Sequence, residues 1–388
     1  MRRWWAWGLV APSFIFLLLT FVLPVALMLL RGVSDPTLRE VWPESTAALE
    51  AWNGERLPPD STARIVARDI TASHRNGTIS RVANRLNYDQ PGSRGLLYET
   101  AVRIPDTSSI NGISDMARVD PRWGDFEIWT ALRNATGPAT SFYLLAALDR
   151  RLGADGRVYM VPPEQKVFTD IFLRTFKISL IVSLLCGLLG YPVAYLLAHM
   201  PSGRANLLMI LVLLPFWTSA LVRTTAWVVL LQTNGILNTA LLGAGLIDKP
   251  LELIYNRLGV YIAMTHVLLP FLILPLYGVM KGIDPATVRA AASLGASPFR
   301  AFLRVYLPQT LPGIGAGLLI VFTLALGYYL TPALVGGGGD QMVSASIAFY
   351  TNQSLNWGMA AALSLLLLIP LVILALAGRT LSRAGART

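Results

Sequence analysis

The sequence predicts an all-α integral membrane protein with six transmembrane helices and a large polar segment between the first two. Three observations support this fold class. Apolar residues make up 54% of the 388 residues and charged residues only 14%, too few charges for an ordinary soluble domain. Uncharged runs of about 20 residues, the length that crosses a bilayer as a helix, recur along the chain. Residues 31–167 interrupt this pattern, because they include 17 basic and 17 acidic residues.

The first transmembrane helix is predicted at Gly8–Leu30, because the chain carries no charge from Trp4 to Leu30. Arg2 and Arg3 precede this run. A secretory signal peptide shares both features, but its apolar core is shorter and a small-residue cleavage site follows it. The sequence Leu29–Leu30–Arg31 is a poor cleavage site, so we expect the helix to stay in the membrane.

Residues 31–167 are predicted to form a separate domain, inserted between the first and second transmembrane helices. Their composition is that of a soluble segment, and their length is enough for a small domain with its own core. Short apolar pieces such as Phe126–Leu132 and a strand at Val158–Val161 are expected within it. The composition around Pro58–Asn87 favours disorder over that part.

Residues 168–388 are predicted to carry the other five transmembrane helices. These are Ile178–Leu197, Leu207–Leu231, Val260–Met280, Gly313–Leu330 and Ala360–Ala377. Pro215 and the polar residues Thr218, Ser219 and Arg223 interrupt Leu207–Leu231. Six crossings place both termini on the same side, and most Lys and Arg residues of the termini and short loops lie on that side. They are Arg2, Arg3, Arg204, Lys281, Arg289, Arg300, Arg304, Arg379, Arg383 and Arg387, against Lys249 and Arg257 opposite. Because positive loops face the cytoplasm, both termini are predicted to be cytoplasmic.

The loop 281–312, between the fourth and fifth transmembrane helices, is predicted to form two short helices with separate start signals. Asp284–Pro285 is a helix N-cap followed by a proline at the first helical position, and Ser297–Pro298 repeats this device. Gly295 lies where the first short helix, predicted at Pro285–Leu294, needs a residue with positive φ to end.

The second short helix of this loop places one apolar stripe along its surface. The stripe consists of Phe299, Phe302, Leu303 and Tyr306, at helical spacing. Pro308 and Pro312 are expected to break this helix before the fifth transmembrane helix begins.

The spacing in this loop resembles the EAA loop of ABC-importer permeases, written E-A-A, three residues, G, nine residues, I-x-L-P. The matching positions are Arg289-Ala290-Ala291, Gly295, Val305 and Leu307-Pro308, with Arg289 replacing Glu and Val305 replacing Ile. The resemblance implies the type I importer (MetI-like) permease fold, in which the first short helix is a coupling helix that docks on a cytoplasmic ATPase. The expected coupling residues are Asp284, Arg289, Ala290, Ala291, Gly295, Phe299, Leu307 and Pro308.

A second resemblance lies in the third predicted transmembrane helix. The run Pro215-Phe-Trp-Thr-Ser-Ala-Leu-Val-Arg-Thr-Thr-Ala-Trp227 resembles a signature of spermidine/putrescine permeases. The large first external loop departs from that family, where this loop is usually short. The resemblance makes polyamines the leading solute, whereas opines, amino-acid derivatives and iron complexes stay open. The expected solute pathway consists of Phe216, Trp217, Thr218, Arg223, Tyr328 and Tyr329.

The charges within the membrane segments leave the solute class open. The transmembrane segments contain no carboxylate beyond Asp170 at an edge. Aromatic faces can bind ammonium groups instead. Arg223 would repel a polycation unless it pairs with a loop carboxylate or reaches the membrane surface.

No motif for chemistry is found in the sequence. It contains no G-x-x-x-x-G-K-[ST] motif, and His74, His199 and His266 are too scattered for a metal site. We therefore expect a transport subunit without enzymatic activity, cofactor or metal. A membrane-bound sensor that uses the inserted domain is the alternative, but the tail after Gly378 is too short for an output domain.

The partners follow from the resemblance and from the charge distribution. A permease of this type implies a cytoplasmic ABC ATPase dimer, a second permease subunit that is expected to be a different chain, and an extracytoplasmic solute-binding protein. Membrane lipid is a further partner, and the implied location is a bacterial inner (plasma) membrane. Nucleic acid is not expected, because the net charge of +10 arises from residues around the transmembrane helices.

Overall fold

The computed structural model describes residues 2–104, 106–153 and 156–385 of the chain. Arg387, which was counted toward the cytoplasmic side, lies outside the described residues. The chain divides into two compact units. The first unit comprises Met1–Val167 and Tyr350–Leu366, and the second comprises Phe168–Phe349 and Leu367–Thr388.

The first transmembrane helix is nearly continuous. It runs through an α-helix at Arg2–Leu17, a π-helical turn at Leu18–Val22 and an α-helix at Leu23–Leu30. The stretch Val10–Leu30 has a mean hydropathy of 2.7 and no buried residues, as expected for a helix surrounded by lipid. This position agrees with the prediction of Gly8–Leu30.

Residues 31–167 are mainly helical. Their α-helices are Thr37–Val41, Pro43–Glu50, Asp60–Arg75, Ile79–Asp89, Ser93–Arg103, Ile113–Val119, Phe126–Asn134 and Phe142–Ala146. Short 3-10 turns lie at Thr107–Ser109, Pro121–Gly124 and Pro163–Gln165. The strand predicted at Val158–Val161 is found at Val158–Met160, paired antiparallel with Arg150–Leu152 so that Arg151 lies opposite Tyr159.

The disorder expected around Pro58–Asn87 is wrong. Helices Asp60–Arg75 and Ile79–Asp89 occupy this stretch, and each buries one face. Val66 and Ile70 on the first helix are completely buried, and so are Val82 and Leu86 on the second. Each pair is four residues apart, so the helical period is present, although the many charged residues between them lower the mean hydropathy.

The core of this segment is built around three completely buried tryptophans, Trp42, Trp123 and Trp129. Each indole N–H has a partner: Trp42 donates to the Ser73 hydroxyl at 3.0 Å, and Trp123 donates to the Thr100 hydroxyl at 2.8 Å. Trp129 donates to the carbonyl of Trp123 at 2.9 Å. Because these polar atoms are satisfied, the large rings can be buried without a desolvation penalty.

The second unit and the last helix contain the remaining transmembrane segments. The α-helices are Phe168–His199, Ser202–Leu213, Ala220–Leu231, Ile236–Gly243, Arg257–Lys281, Pro285–Ser293, Pro298–Ala301, Leu307–Gly327, Leu330–Val335, Val343–Asn352 and Trp357–Gly385. Short 3-10 helices lie at Leu214–Trp217 and Gly338–Asp340, and a π-helix lies at Phe302–Tyr306. Within the described residues, six helical stretches are long and apolar enough to cross a membrane. They are Val10–Leu30, Phe168–His199, Ala220–Gly243, Arg257–Lys281, Pro298–Gly327 and Trp357–Leu376.

The second, fourth and fifth of these spans form the core of the second unit. Gly190 and Gly317 allow them to approach closely. A Cβ atom at Gly190 would lie 2.6 Å from the side chain of Leu272, and one at Gly317 would lie 3.1 Å from the same residue. Small residues at helix contacts are typical of membrane bundles, where packing replaces the hydrophobic effect. These three spans therefore fit against each other without a channel at these contacts.

The glycine-rich loop after the fifth span is held by an ion pair. Arg257, at the start of the fourth span, donates through Nε to Asp340 at 2.8 Å. The Asp340 carboxylate also accepts from the amide of Gly337 at 3.1 Å and is 9% exposed. This carboxylate thus fixes both ends of the loop Gly337–Asp340.

Candidate functional site

The first short helix of the loop 281–312 has the predicted start and end. It spans Pro285–Ser293, and the Asp284 carboxylate accepts from the amide of Ala286 at 2.8 Å. Gly295 has φ +86° and stops the helix in the left-handed conformation. Ser297 caps the following turn, since its hydroxyl accepts from the amide of Arg300. The predicted caps are confirmed, and the helix end differs from the prediction by one residue.

This helix presents an uncovered surface. None of its residues is buried. Arg289, Ala290 and Gly295 are exposed, and Ala291 is half-buried. Two large apolar side chains beside it are also uncovered: Leu294 is 90% exposed and Phe299 is 71% exposed. Apolar side chains grouped with small and charged residues are typical of a docking surface.

The expected helix break at Leu307–Pro308 is wrong. A π-helical turn at Phe302–Tyr306 leads into the continuous helix Leu307–Gly327. Pro308 and Pro312 both lie inside the helical stretch Pro298–Gly327. Transmembrane helices tolerate such prolines because neighbouring groups satisfy the freed carbonyls. Leu307 is half-buried and Pro308 is exposed.

An aromatic cluster connects this π-helical turn to the C-terminal end of the second span. Tyr306 is 5% exposed, and its ring centroid lies 5.4 Å from both Tyr195 and His199. Phe302 stacks on Tyr306 at 5.8 Å and contacts the edge of Tyr195 at 5.9 Å. The C-terminal part of the loop 281–312 is therefore packed directly against the second span.

The third span is broken within the interruption predicted for Leu207–Leu231. The chain breaks after the 3-10 helix Leu214–Trp217, where Thr218 is extended with φ −105° and ψ 148°. A new helix, Ala220–Leu231, begins behind the Ser219 hydroxyl, which accepts from the amide of Val222 at 3.2 Å. The serine N-cap and Pro215 in the preceding turn explain the break.

A polar face follows this break. Arg223 donates through Nη2 to the carbonyl of Thr218 at 3.0 Å, and its Nε is buried without a partner. Trp227, one helical turn later, donates through its indole N–H to Nδ1 of His266 on the fourth span at 3.2 Å. His266 therefore carries its proton on Nε2, and that N–H remains a possible donor. Among the residues that the structure describes, no carboxylate forms an ion pair with Arg223.

His266 is the residue of this face that the sequence interpretation missed. The sequence placed it only among three scattered histidines. Trp227 was the available signal, because residues four apart on a helix lie on the same face and a tryptophan N–H needs an acceptor.

The other expected pathway residues fall into two groups. Phe216 packs edge-on against Phe271 at 4.9 Å, and its neighbour Trp217 is 74% exposed. Tyr328 packs against the core of the second unit, and Tyr329 is 46% exposed. In the described part of the chain, no ring contact or hydrogen bond joins the two tyrosines to the group 216–223. Over the same residues, no three His, Cys, Asp or Glu side chains lie close enough to hold a metal ion.

Among the described residues, six helical stretches are long and apolar enough to cross a membrane, and a capped, exposed loop lies between the fourth and fifth. The chain belongs to the family described as binding-protein-dependent transport system inner membrane component, whose model matches residues 190–384.

Two relatives illustrate this membership. The chain is 36% identical over 203 residues to the spermidine/putrescine transport system permease protein PotB of Escherichia coli, covering 52% of this chain and 74% of the relative. It is 34% identical over 236 residues to the inner membrane ABC transporter permease protein YdcU of Escherichia coli, covering 56% of this chain and 72% of the relative. A crystal structure of a bacterial alginate ABC transporter with a pentasaccharide-bound periplasmic protein is similar at a TM-score of 0.48 and 18% identity, covering 58% of this chain and 82% of that chain.

Proposed function

We propose that this permease subunit imports a small solute, with polyamines such as spermidine and putrescine as the leading class, in a transporter driven by a separate ATPase. The observation that supports this solute class is the 36% identity over 203 residues to permeases named for spermidine and putrescine. Opines, amino-acid derivatives and iron complexes are the alternatives for the same passage.

The coupling loop supplies the link to ATP hydrolysis. In this proposal the helix Pro285–Ser293 docks on one copy of a cytoplasmic ABC ATPase dimer, with Leu294 and Phe299 covered in the complex. The aromatic cluster of Phe302, Tyr306 and Tyr195 supports a rigid connection from this helix to the second span. A movement of the ATPase would then shift the spans as rigid bodies.

The passage is proposed to run along the polar face of the third span, beside a second permease subunit that is a different chain. Two observations support this. The second, fourth and fifth spans approach closely at Gly190 and Gly317, which leaves no channel at these contacts. A charged Arg223 and the exposed His266 are costly against lipid, so this face is best covered by a partner or by water.

The side chains that this face offers to a solute are aromatic and cationic. Phe216 and Trp217 offer ring faces to an ammonium group. Arg223 already donates to the Thr218 carbonyl, so one part of its guanidinium is occupied within the chain. A polyamine would therefore contact the rings, whereas a carboxylate-bearing amine would also contact the free N–H groups of Arg223 and His266.

The orientation is proposed from the charges of the short loops. Both termini and the coupling loop face the cytoplasm, and residues 31–167 form an extracytoplasmic domain inserted between the first and second spans, on the side of the solute-binding protein. Protease added to spheroplasts should cut this segment and leave the coupling loop intact. Cleavage of residues 31–167 only in inside-out vesicles would show that the orientation is the opposite of the one proposed.

Measurements of uptake in whole cells test the proposed solute class. Cells with and without the transporter genes are compared for uptake of labelled putrescine and spermidine, and a carboxylated amine such as an opine is added as competitor. We expect uptake that depends on the genes and is competed by unlabelled polyamine. Equal uptake in both strains, together with gene-dependent opine uptake, would contradict the polyamine assignment and leave the permease family unchanged.

A further inference from the structure

Residues 31–167 contain a buried ion pair close to the end of the first span. Arg85, on the helix Ile79–Asp89, donates through Nε to the carboxylate of Asp35, which follows the first span by five residues. The two side chains are 4% and 1% exposed. The guanidinium also lies 4.2 Å from the ring centroid of Phe142 and 5.4 Å from that of Tyr143.

The same group of residues reaches the start of the last span. Gly358 is the second residue of the helix Trp357–Gly385, and the ring of Tyr143 covers its Cα. A Cβ atom at this glycine would lie 2.4 Å from Cε2 and Cζ of Tyr143, closer than any non-bonded carbon pair can come. Tyr88 adds a hydrogen bond from its hydroxyl to the carbonyl of Ser354 at 3.2 Å.

The ion pair is a poor source of stability by itself. Nη1 and Nη2 of Arg85 are buried without a partner, and apolar side chains of similar volume are often at least as stabilising as a buried ion pair. Its specific effect is geometric, because it holds the guanidinium against the rings of Phe142 and Tyr143. The position of the Tyr143 ring in turn fixes the backbone at Gly358.

We propose that Arg85 and Tyr143 are positioning residues that fasten residues 31–167 to the start of the last span, so that the two move as one body during transport. An event at the inserted segment, such as the docking of the solute-binding protein, is thereby conveyed to the first and last spans together. The proposal rests on the transport function and outward orientation proposed above. It predicts that the contacts at Gly358 and Ser354 never need to separate during the cycle.

A cleavable cross-link tests this directly in the assembled transporter. Tyr88→Cys and Ser354→Cys are introduced in a Cys186→Ser background, because Cys186 is the chain's one cysteine, and are joined with a bis-maleimide linker that contains a disulfide. We expect equal cross-linking without nucleotide and in the vanadate-trapped state, and an uptake rate unchanged by the linker. Uptake that stops on cross-linking and returns on reduction would overturn the proposal, because the contact between positions 88 and 354 would then have to open during transport.

A steric series tests the residues themselves. Gly358→Ala should lower the maximal uptake rate at least about tenfold, with unchanged amounts in the membrane, because the added carbon displaces the ring. The double variant Gly358→Ala/Tyr143→Ala should take up solute at the same rate as the single variant Tyr143→Ala. The matched control is Gly315→Ala, on a span helix with open space around the added carbon.

The outcomes separate this proposal from the assignment of the solute. ATP hydrolysis stimulated by the binding protein replaces uptake as the readout if polyamines are not transported, and the cross-linking yields need no solute. Wild-type activity of Gly358→Ala by either readout would contradict the proposal that Tyr143 fastens residues 31–167 to the start of the last span. Activities of the single and double variants that are simply additive would do the same, because the two side chains would then act independently.

Discussion

Gly295 is the position where the coupling mechanism can be tested most cleanly. Its φ of +86° is unfavourable for any residue with a side chain, by about 1–2 kcal/mol. A Cβ atom there meets no atom within 4 Å, so substitution creates no clash inside the chain. Gly295→Ala and Gly295→Trp therefore share the same backbone strain, and only the tryptophan adds bulk to the surface proposed to dock on the ATPase.

The difference between the two variants measures docking. The shared strain of about 1–2 kcal/mol corresponds to at most about 5–30-fold in any step that needs the ordered helix end. We expect Gly295→Trp to lower uptake at least about tenfold further than Gly295→Ala, while ATP hydrolysis continues without transport. Uptake and hydrolysis are measured in parallel on the purified complex in proteoliposomes.

The control is Gly245→Trp. Gly245 also has positive φ, at +66°, and open space around its Cα, but it lies in the loop after helix Ile236–Gly243. The Gly245→Trp variant should retain uptake that is coupled to ATP hydrolysis. Equal uptake by Gly295→Ala and Gly295→Trp would refute the docking argument, because bulk at that surface would then have no effect.

Three further predictions concern polar groups. Tyr306→Phe should leave the free energy of unfolding unchanged or raise it by about 1 kcal/mol, because the buried hydroxyl has no partner. Asp340→Ala should lower the free energy of unfolding by about 2 kcal/mol, because Arg257 loses its partner and the amide of Gly337 loses its acceptor. Hydrogen bonds from Arg122 lower the pKa of Asp120. The stability that this carboxylate contributes is thus present above its unfolded pKa of about 4 and is lost as pH falls through its folded pKa, so Asp120→Asn should weaken this acid dependence.

Each of these predictions has a matched control, read by thermal or denaturant unfolding of the purified protein. Tyr191→Phe removes a hydroxyl that lies 3.4 Å from the Thr310 hydroxyl, and it should destabilise where Tyr306→Phe does not. Asp248→Ala removes an exposed carboxylate and should cost less than about 0.5 kcal/mol. Asp115→Asn breaks a pair with the exposed Arg118 and should change the stability at neutral pH less than Asp120→Asn does. A reversed order within any pair would contradict the structural explanation for that pair.

Local sequence rules predicted the caps and the helix end in the loop 281–312 well. Asp284, Ser297 and Gly295 act within a few residues of their own position, so their roles do not depend on the rest of the fold. The same rules failed at Pro308, where the chain continues as a helix. A proline rule derived from isolated helices does not include the π-helical turn before it or the neighbouring spans that support it.

The third span and the polar face show a second limit of the sequence. The sequence indicates an interruption of Leu207–Leu231 at Pro215 and the polar residues after it, but where the second helix begins depends on whether Ser219 is used as a cap. That choice is made by tertiary packing, such as the contact between Phe216 and Phe271. Likewise, His266 joins Trp227 from 39 positions away along the chain, a pairing that no spacing rule could give.

The contact between Tyr88 and Ser354 also has a consequence for how the protein is made. These residues are 266 positions apart in the chain, so the first unit cannot be completed until the last span has been synthesised and inserted. Most of the helical core of residues 38–135 can form earlier, because its contacts are closer in sequence. Its surface around Tyr143 must wait, uncovered, for the start of the last helix. Chains truncated before Tyr350 should therefore insert normally and yet be degraded faster, with cleavage beginning near Tyr143.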